Sequence, residues 1–197
     1  MAGSVTHLLY LHGFRSSPRS TKARWVEAWM AAHRADVTWH CPQLPASPRS
    51  AVDLIERIVA GWPRATMAVI GSSLGGWYAT VIAERTGCRA VLLNPAVEPA
   101  RDLARHVGVT TTWHGDEPFE FRAEYVDEAR ALHPPAITRL ERYYAIIAKG
   151  DELLSWEEMT ARYRGAAIDL LEAGDHALTD FDAHWPAAAA WLGLIGR

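Results

Sequence analysis

With 197 residues, 49% of them hydrophobic, the chain can bury one sizeable core and is too apolar to stay disordered. Its net charge of -3 excludes a general electrostatic attraction to nucleic acid or anionic lipid. No apolar run reaches the roughly 18 residues of a membrane-spanning helix. Met1-Ala2-Gly3-Ser4-Val5 has neither a basic n-region nor a cleavage signature, so a cytoplasmic location is the expectation. The two cysteines, Cys41 and Cys88, lie outside any Cys-x-x-Cys pair and read as free thiols.

Short apolar runs alternate with helical patterns almost from the first residue. The run from Val5 to Leu11 reads as a buried strand ending in His12-Gly13. Ser20 to His33 has helical periodicity, with Trp25, Ala28, Trp29 and Ala32 on one face. Asp36 to Cys41 is a second strand, broken by Pro42 and Pro45. Ser50 to Gly61 predicts a helix with Ala51, Leu54, Ile55, Ile58 and Val59 inward. Thr66 to Ile70 is a third strand, and Leu74 to Arg85 the helix that follows it. Ala90 to Leu93 is a fourth strand, closed by Asn94-Pro95. Tyr143 to Ala148 and Ala167 to Leu171 are the fifth and sixth, separated by a helix from Trp156 to Tyr163. Ala187 to Leu194 is a final helix. Such alternation implies parallel strands with right-handed crossovers, a three-layer α/β sheet, in one domain over residues 1–197. Residues 97–142 interrupt the rhythm with more charge and with Trp113, Phe119, Phe121 and Tyr125, as a cap-like insertion would.

Between the third strand and its helix stands Gly71-Ser72-Ser73-Leu74-Gly75-Gly76, a G-x-S-x-G pattern. At a sharp strand-to-helix turn this spacing exposes the Ser73 hydroxyl above the sheet edge as a nucleophile. The flanking glycines leave room where a Cβ would crowd the turn. Ser72 would break the register and is read as packing beneath the turn. A serine needs a general base, and the base needs a carboxylate to fix its tautomer. On such a sheet the order along the chain is serine, acid, histidine.

Of nine histidines His176 stands in the loop directly after the last strand, in Gly174-Asp175-His176-Ala177. Asp151 follows the fifth strand in Lys149-Gly150-Asp151-Glu152, far enough ahead of His176 for one helix and one strand. Glu152 and Glu98 compete for the acid role, and Asp175 would point away from the base. Donors for an oxyanion would be the backbone N–H of Leu74, at the helix start, and that of Phe14, in the loop after the first strand. His12 reads as structural, holding this loop through its ring nitrogens, and Arg15 as lining the entrance. Trp77, Tyr78 and Trp113 are positioned to border an acyl pocket.

Two other chemistries are weaker. Gly71 to Gly76 matches neither G-x-x-x-x-G-K-[ST] nor G-x-G-x-x-G. Asp180-Phe181-Asp182-Ala183-His184 lacks metal-ligand spacing and reads as a solvated helix start, so no metal or cofactor is expected.

The blocks Leu8 to Ser20, Pro42-Gln43-Leu44-Pro45, Gly71 to Thr80, Asn94-Pro95-Ala96-Val97, Gly150-Asp151-Glu152 and Gly174-Asp175-His176-Ala177 resemble, in this order and over nearly the whole chain, the YqiA-type bacterial esterases. The resemblance implies a small α/β-hydrolase fold that begins at what is usually the third strand, with six parallel strands in the order 2-1-3-4-5-6. It also implies a serine esterase with Ser73, Asp151 and His176 as triad and small-molecule acyl esters or acyl-CoA thioesters as substrates. The family pattern has Gly-Asn-His-Ala-Phe where this chain has Gly174-Asp175-His176-Ala177-Leu178, and the added carboxylate is expected to raise the imidazole pKa. Rival readings are a thioesterase, amidase or perhydrolase with the same triad, or a catalytically silent binding module.

Overall fold

In β1 (His7–Leu11) the four consecutive residues Leu8, Leu9, Tyr10 and Leu11 are all buried. Only a strand covered on both faces hides every side chain in this way. The computed structural model of the protein, which describes residues 4–113 and 118–195, shows such a sheet. After β1 come α1 (Thr21–His33), β2 (Thr38–His40), α2 (Pro48–Val59), β3 (Met67–Ser72), α3 (Leu74–Thr86) and β4 (Arg89–Leu93). The insertion contains α4 (Pro99–Leu103), the strands β5 (Gly108–Thr111) and β6 (Pro118–Phe121), and α5 (Glu124–Leu132). The chain then returns through β7 (Tyr143–Ala148), α6 (Trp156–Arg162), β8 (Ala167–Leu171) and α7 (Phe181–Leu192).

Six strands form one parallel sheet in the order β2-β1-β3-β4-β7-β8. The spatial order of the sheet strands is the one expected. Their numbering differs because the insertion adds β5 and β6, which pair only with each other, antiparallel. Successive side chains of a strand point to opposite faces, and the core divides accordingly. Leu9, Leu11, Val69, Leu92 and Ile147 pack under α2, α3, α5 and α6. Leu8, Tyr10, Ile70, Val91 and Ile146 pack under α1 and α7. The edge strands β2 and β8 are the least covered.

Several boundaries moved. The buried line of α1 is Ala23, Val26 and Met30, while Ala28 and Ala32 face solvent. Small and branched residues fit between helix and sheet. Trp25 and Trp29 are too bulky for that and lie sideways, edge-on to Trp185 of α7. β2 is shorter than the run from Asp36 to Cys41, because an edge strand needs only the partner residues β1 offers it. α2 starts at Pro48, with the Ser47 side chain accepting the Ser50 N–H, an N-cap worth about 1 kcal/mol. α7 starts at Phe181 and runs through Pro186, which interrupts its apolar pattern in the sequence. The proline sits on the exposed side, where the carbonyl that loses its donor meets water, while Phe181, Trp185 and Leu192 anchor the helix.

Pairing in register aligns the strand ends. Leu11 faces Gly71, Ser72 faces Leu93, and Ala148 faces Leu171. Residues following β1, β3, β4, β7 and β8 therefore emerge side by side along the carboxyl edge, where open α/β sheets place their sites.

Candidate active site

Ser73 joins β3 to α3 with φ 56° and ψ -121°. Non-glycine residues rarely adopt a positive φ, and here the surroundings enforce it. The Ser73 N–H donates to Leu93 O at 2.9 Å, and its carbonyl accepts from Gly76 and Ala96 at 2.9 and 3.0 Å. The glycines serve close approach. A Cβ on Gly75 would lie 2.0 Å from Leu11 O, and one on Gly71 2.1 Å from Gly75 O. α3 can therefore press against β1 and β3 and lift the hydroxyl above the sheet.

The structure brings Ser73, His176 and Asp151 together. His176 Nε2 lies 3.0 Å from Ser73 Oγ, and His176 Nδ1 lies 2.8 Å from Asp151 Oδ2. Asp151 Oδ1 accepts the N–H groups of Leu153 and Leu154, each at 2.8 Å, and the carboxylate is fully buried. A carboxylate fixed in this way demands the Nδ1–H tautomer, which leaves the Nε2 lone pair facing the hydroxyl. The two loops abut so closely that a Cβ on Gly150 would lie 2.1 Å from Gly174 O. Chemically, the arrangement can move a proton from Ser73 to His176 and hold the resulting cation against Asp151.

The rival acids lie elsewhere. Glu98 is exposed and precedes α4, close enough to His133 to act on its charge. Asp175 turns to Thr179, taking its N–H at 2.9 Å and its hydroxyl at 2.6 Å, which holds the carboxyl below its usual range. Its carboxylate is thus satisfied away from the imidazole. Ser72 is the half-buried last residue of β3 and borders the cleft beside Tyr10 and Ser73.

Phe14 and Leu74 line one cleft with Ser73 and His176, with a volume of about 1050 Å³. Neither backbone N–H has an acceptor among the described residues. His12 does hold the loop: Nδ1 bonds Gly13 O and Nε2 accepts the Leu44 N–H, both at 3.0 Å. The same loop is stapled to the insertion. Trp113 Nε1 donates to Phe14 O at 3.1 Å, Arg15 Nε donates to Thr111 O at 2.6 Å, and the Arg15 guanidinium lies 4.2 Å above the Trp113 ring.

Of the three aromatic residues expected at the pocket, Trp113 lines the cleft. Trp77 does not: it is 1% exposed, packs on Tyr78, and donates its Nε1–H to His133 Nδ1 at 3.2 Å. Tyr78, also buried, borders only a small crevice beside Phe14 and Leu44. Their positions one helical turn from Ser73 turn both rings into the core face of α3, away from the opening.

Sequence reasoning missed two neighbours of the histidine. Glu152 accepts the His176 backbone N–H at 2.9 Å, a role invisible when the glutamate is weighed only as a rival acid. Lys22, on α1, donates to the Ala177 carbonyl; burial lowers its pKa, against the opposing pull of Asp175 and Asp151. Its only signal in sequence is a lysine near the start of a helix. Among the described residues no group of three or more His, Cys, Asp and Glu is arranged to hold a metal ion. His184 instead meets Asp180 and Asp169 across the start of α7.

The model of an uncharacterised protein family, UPF0227, the YqiA-type family, matches residues 7–193. The chain belongs to that family. Among solved structures it is similar to alpha/beta hydrolase domain-containing protein 10 from mouse, at 15% identity and a TM-score of 0.68, over 96% of this chain and 89% of that one. It is similar to Est1E from Butyrivibrio proteoclasticus, solved with ferulic acid bound, at 14% identity and a TM-score of 0.66, over 96% and 87%. An alpha/beta superfamily hydrolase from Oenococcus oeni PSU-1 matches at 15% identity and a TM-score of 0.62, over 96% and 94%. The protein therefore has the α/β-hydrolase fold.

Proposed function

We propose that this member of the UPF0227 family is a serine hydrolase of carboxylic esters, with Ser73 as nucleophile, His176 as general base and acid, and Asp151 as its orienting carboxylate. The observation that carries the reading is the unbroken relay from Asp151 Oδ2 through the His176 ring to Ser73 Oγ, with bonds of 2.8 and 3.0 Å. The hydrolase names among proteins of the same fold support it.

In the first step His176 Nε2 takes the Ser73 proton as Oγ bonds to the acyl carbon, and the carbonyl oxygen becomes an oxyanion. The N–H groups of Phe14 and Leu74 receive that charge, the second at the start of α3 where the helix dipole favours it. Collapse of the intermediate breaks the bond to the alkoxy oxygen, which leaves as alcohol with the proton from His176. Water then gives a proton to His176 and attacks the acyl-enzyme. Release of the acid returns that proton to Ser73 Oγ. Asp151 stabilises the imidazolium in both halves.

The test is labelling of the intact protein with a fluorophosphonate probe, read by mass spectrometry, beside Ser73→Ala. One adduct on Ser73, absent from the variant, together with loss of ester turnover, is the expected result. Full turnover by Ser73→Ala would falsify the proposal, and failure of the wild type to label would favour a binding module.

A further inference from the structure

We propose that Asn94 is the positioning residue that holds the segments carrying Asp151 and His176 in mutual register; the inference rests on the serine-hydrolase reading above. Asn94 closes β4 and is completely buried, at φ 41°. Its side chain bonds in two directions. Oδ1 accepts the Ala148 N–H at 2.8 Å, at the end of the strand that leads to Asp151. Nδ2 donates to Asp175 O at 3.0 Å and to His176 O at 3.2 Å, gripping the peptide units on either side of the His176 Cα. Its backbone N–H donates to Ile146 O at 3.0 Å, and the carbonyl of the preceding Leu93 accepts the Ser73 N–H at 2.9 Å. One buried side chain thus ties the strand before Asp151 to the loop of His176, while its neighbour Leu93 carries the turn of Ser73.

The residue type follows from the geometry. Two carbonyls and one N–H face the side chain, which calls for two donors and one acceptor on a short stem. A carboxamide supplies this set and a carboxylate does not, since an aspartate would point its charge at the two carbonyls. The partners also fix the orientation of the amide, because the flipped form would face carbonyl oxygens with oxygen. A left-handed backbone favours asparagine or glycine. An apolar side chain of the same size would take the partner from the buried Ala148 N–H and from the His176 carbonyl, whereas Asp175 O would keep the Leu178 N–H. Asn94 does not line the cleft and bonds only main-chain atoms, so it acts through the segments it holds and its removal should cost precision and not substrate affinity.

Asn94→Gly tests this, because glycine accepts φ 41° and removes only the side chain. The expected result is a folded protein in which kcat and the rate of fluorophosphonate labelling both fall about ten- to a hundredfold, the loss that a displacement near 1 Å produces. KM should stay within about twofold, since cleft contacts are unchanged. The downfield proton resonance of the hydrogen bond between His176 Nδ1 and Asp151 should broaden or vanish. Asn94→Asp, closer in shape, guards against a glycine variant that fails to fold. It keeps the bond to Ala148 and loses those to the His176 loop, and it should show the same loss in kcat. Wild-type kcat, labelling and resonance in either folded variant would overturn the inference while leaving the serine-hydrolase reading intact. A wild-type protein that does not label would remove both.

Discussion

Glu152 Oε2 accepts the backbone N–H of His176 at 2.9 Å, while the carboxylate of the preceding residue, Asp151, holds the ring of the same histidine at 2.8 Å. Two consecutive acids thus divide the work, one fixing the main chain and one the imidazole. Removing the main-chain support by Glu152→Ala should lower kcat about three- to tenfold, the equivalent of the roughly 0.5–1.5 kcal/mol that one typical hydrogen bond contributes. Glu152→Gln keeps an acceptor and should remain within about twofold of wild type. Steady-state kinetics on a chromogenic ester distinguishes the two; equal losses would mean that charge and not the hydrogen bond matters.

Asp151→Asn should be far more damaging. The amide cannot demand the Nδ1–H tautomer or offset the imidazolium, and the corresponding exchange in serine proteases lowers kcat about 10⁴-fold. Glu98→Gln changes an exposed residue away from the imidazole and should leave kcat within about twofold. Each variant is assayed alone, and a loss confined to Glu98→Gln would transfer the acid role to the end of β4.

Gly75→Ala should prevent stable folding, because its Cβ would lie 2.0 Å from the Leu11 carbonyl oxygen and 2.6 Å from its carbon. Main chain cannot yield as a side chain does, so the loss should exceed the ~3 kcal/mol typical of an overfilled core. Gly61→Ala is the control, since nothing lies within 4 Å of its Cβ and its φ is not positive. Thermal melts of the two variants would separate them; a Gly75→Ala melting like wild type would contradict the tight contact of α3 with β1.

His133 should make the fold sensitive to mild acid. Burial, then the nearby Arg162, lowers its pKa below the ordinary histidine value, and Glu98 opposes this only in part. Its Nδ1 also accepts from Trp77 Nε1 at 3.2 Å, so the neutral ring is the bonded form. The unfolded chain binds the proton more readily, and the stability His133 contributes is present above the unfolded pKa and lost as pH falls through it toward the lower folded value. Urea midpoints should therefore fall between about pH 7 and pH 5. The fall should shrink in His133→Asn, where nothing titrates; an unchanged slope would place the acid sensitivity elsewhere.

The sheet was legible in the sequence because its strands are buried on both faces. Val69-Ile70, Val91-Leu92-Leu93 and Ile146-Ile147 are apolar without interruption, which solvent-facing strands are not. Ser73, Asp151 and His176 were legible for a different reason, since each follows a strand, and parallel strands in register deliver their ends to one edge. Helix faces were less legible. Periodicity marks which residues of α1 and α3 are apolar, but not which of them the sheet has room for, so the buried line of α1 lay elsewhere and Trp77 turned into the core.

What the sequence alone determined is the order of elements and the residue types offered at each strand end, because these depend on local pattern and chain order. Tertiary structure alone decided that Glu152 and Lys22 grip the His176 loop and that Asn94 joins that loop to the strand before Asp151. It also brought Trp113, 99 residues away in the chain, to the backbone of Phe14. Such bonds join segments distant along the chain through single polar atoms. They carry no periodicity, and only the packed sheet sets their distances.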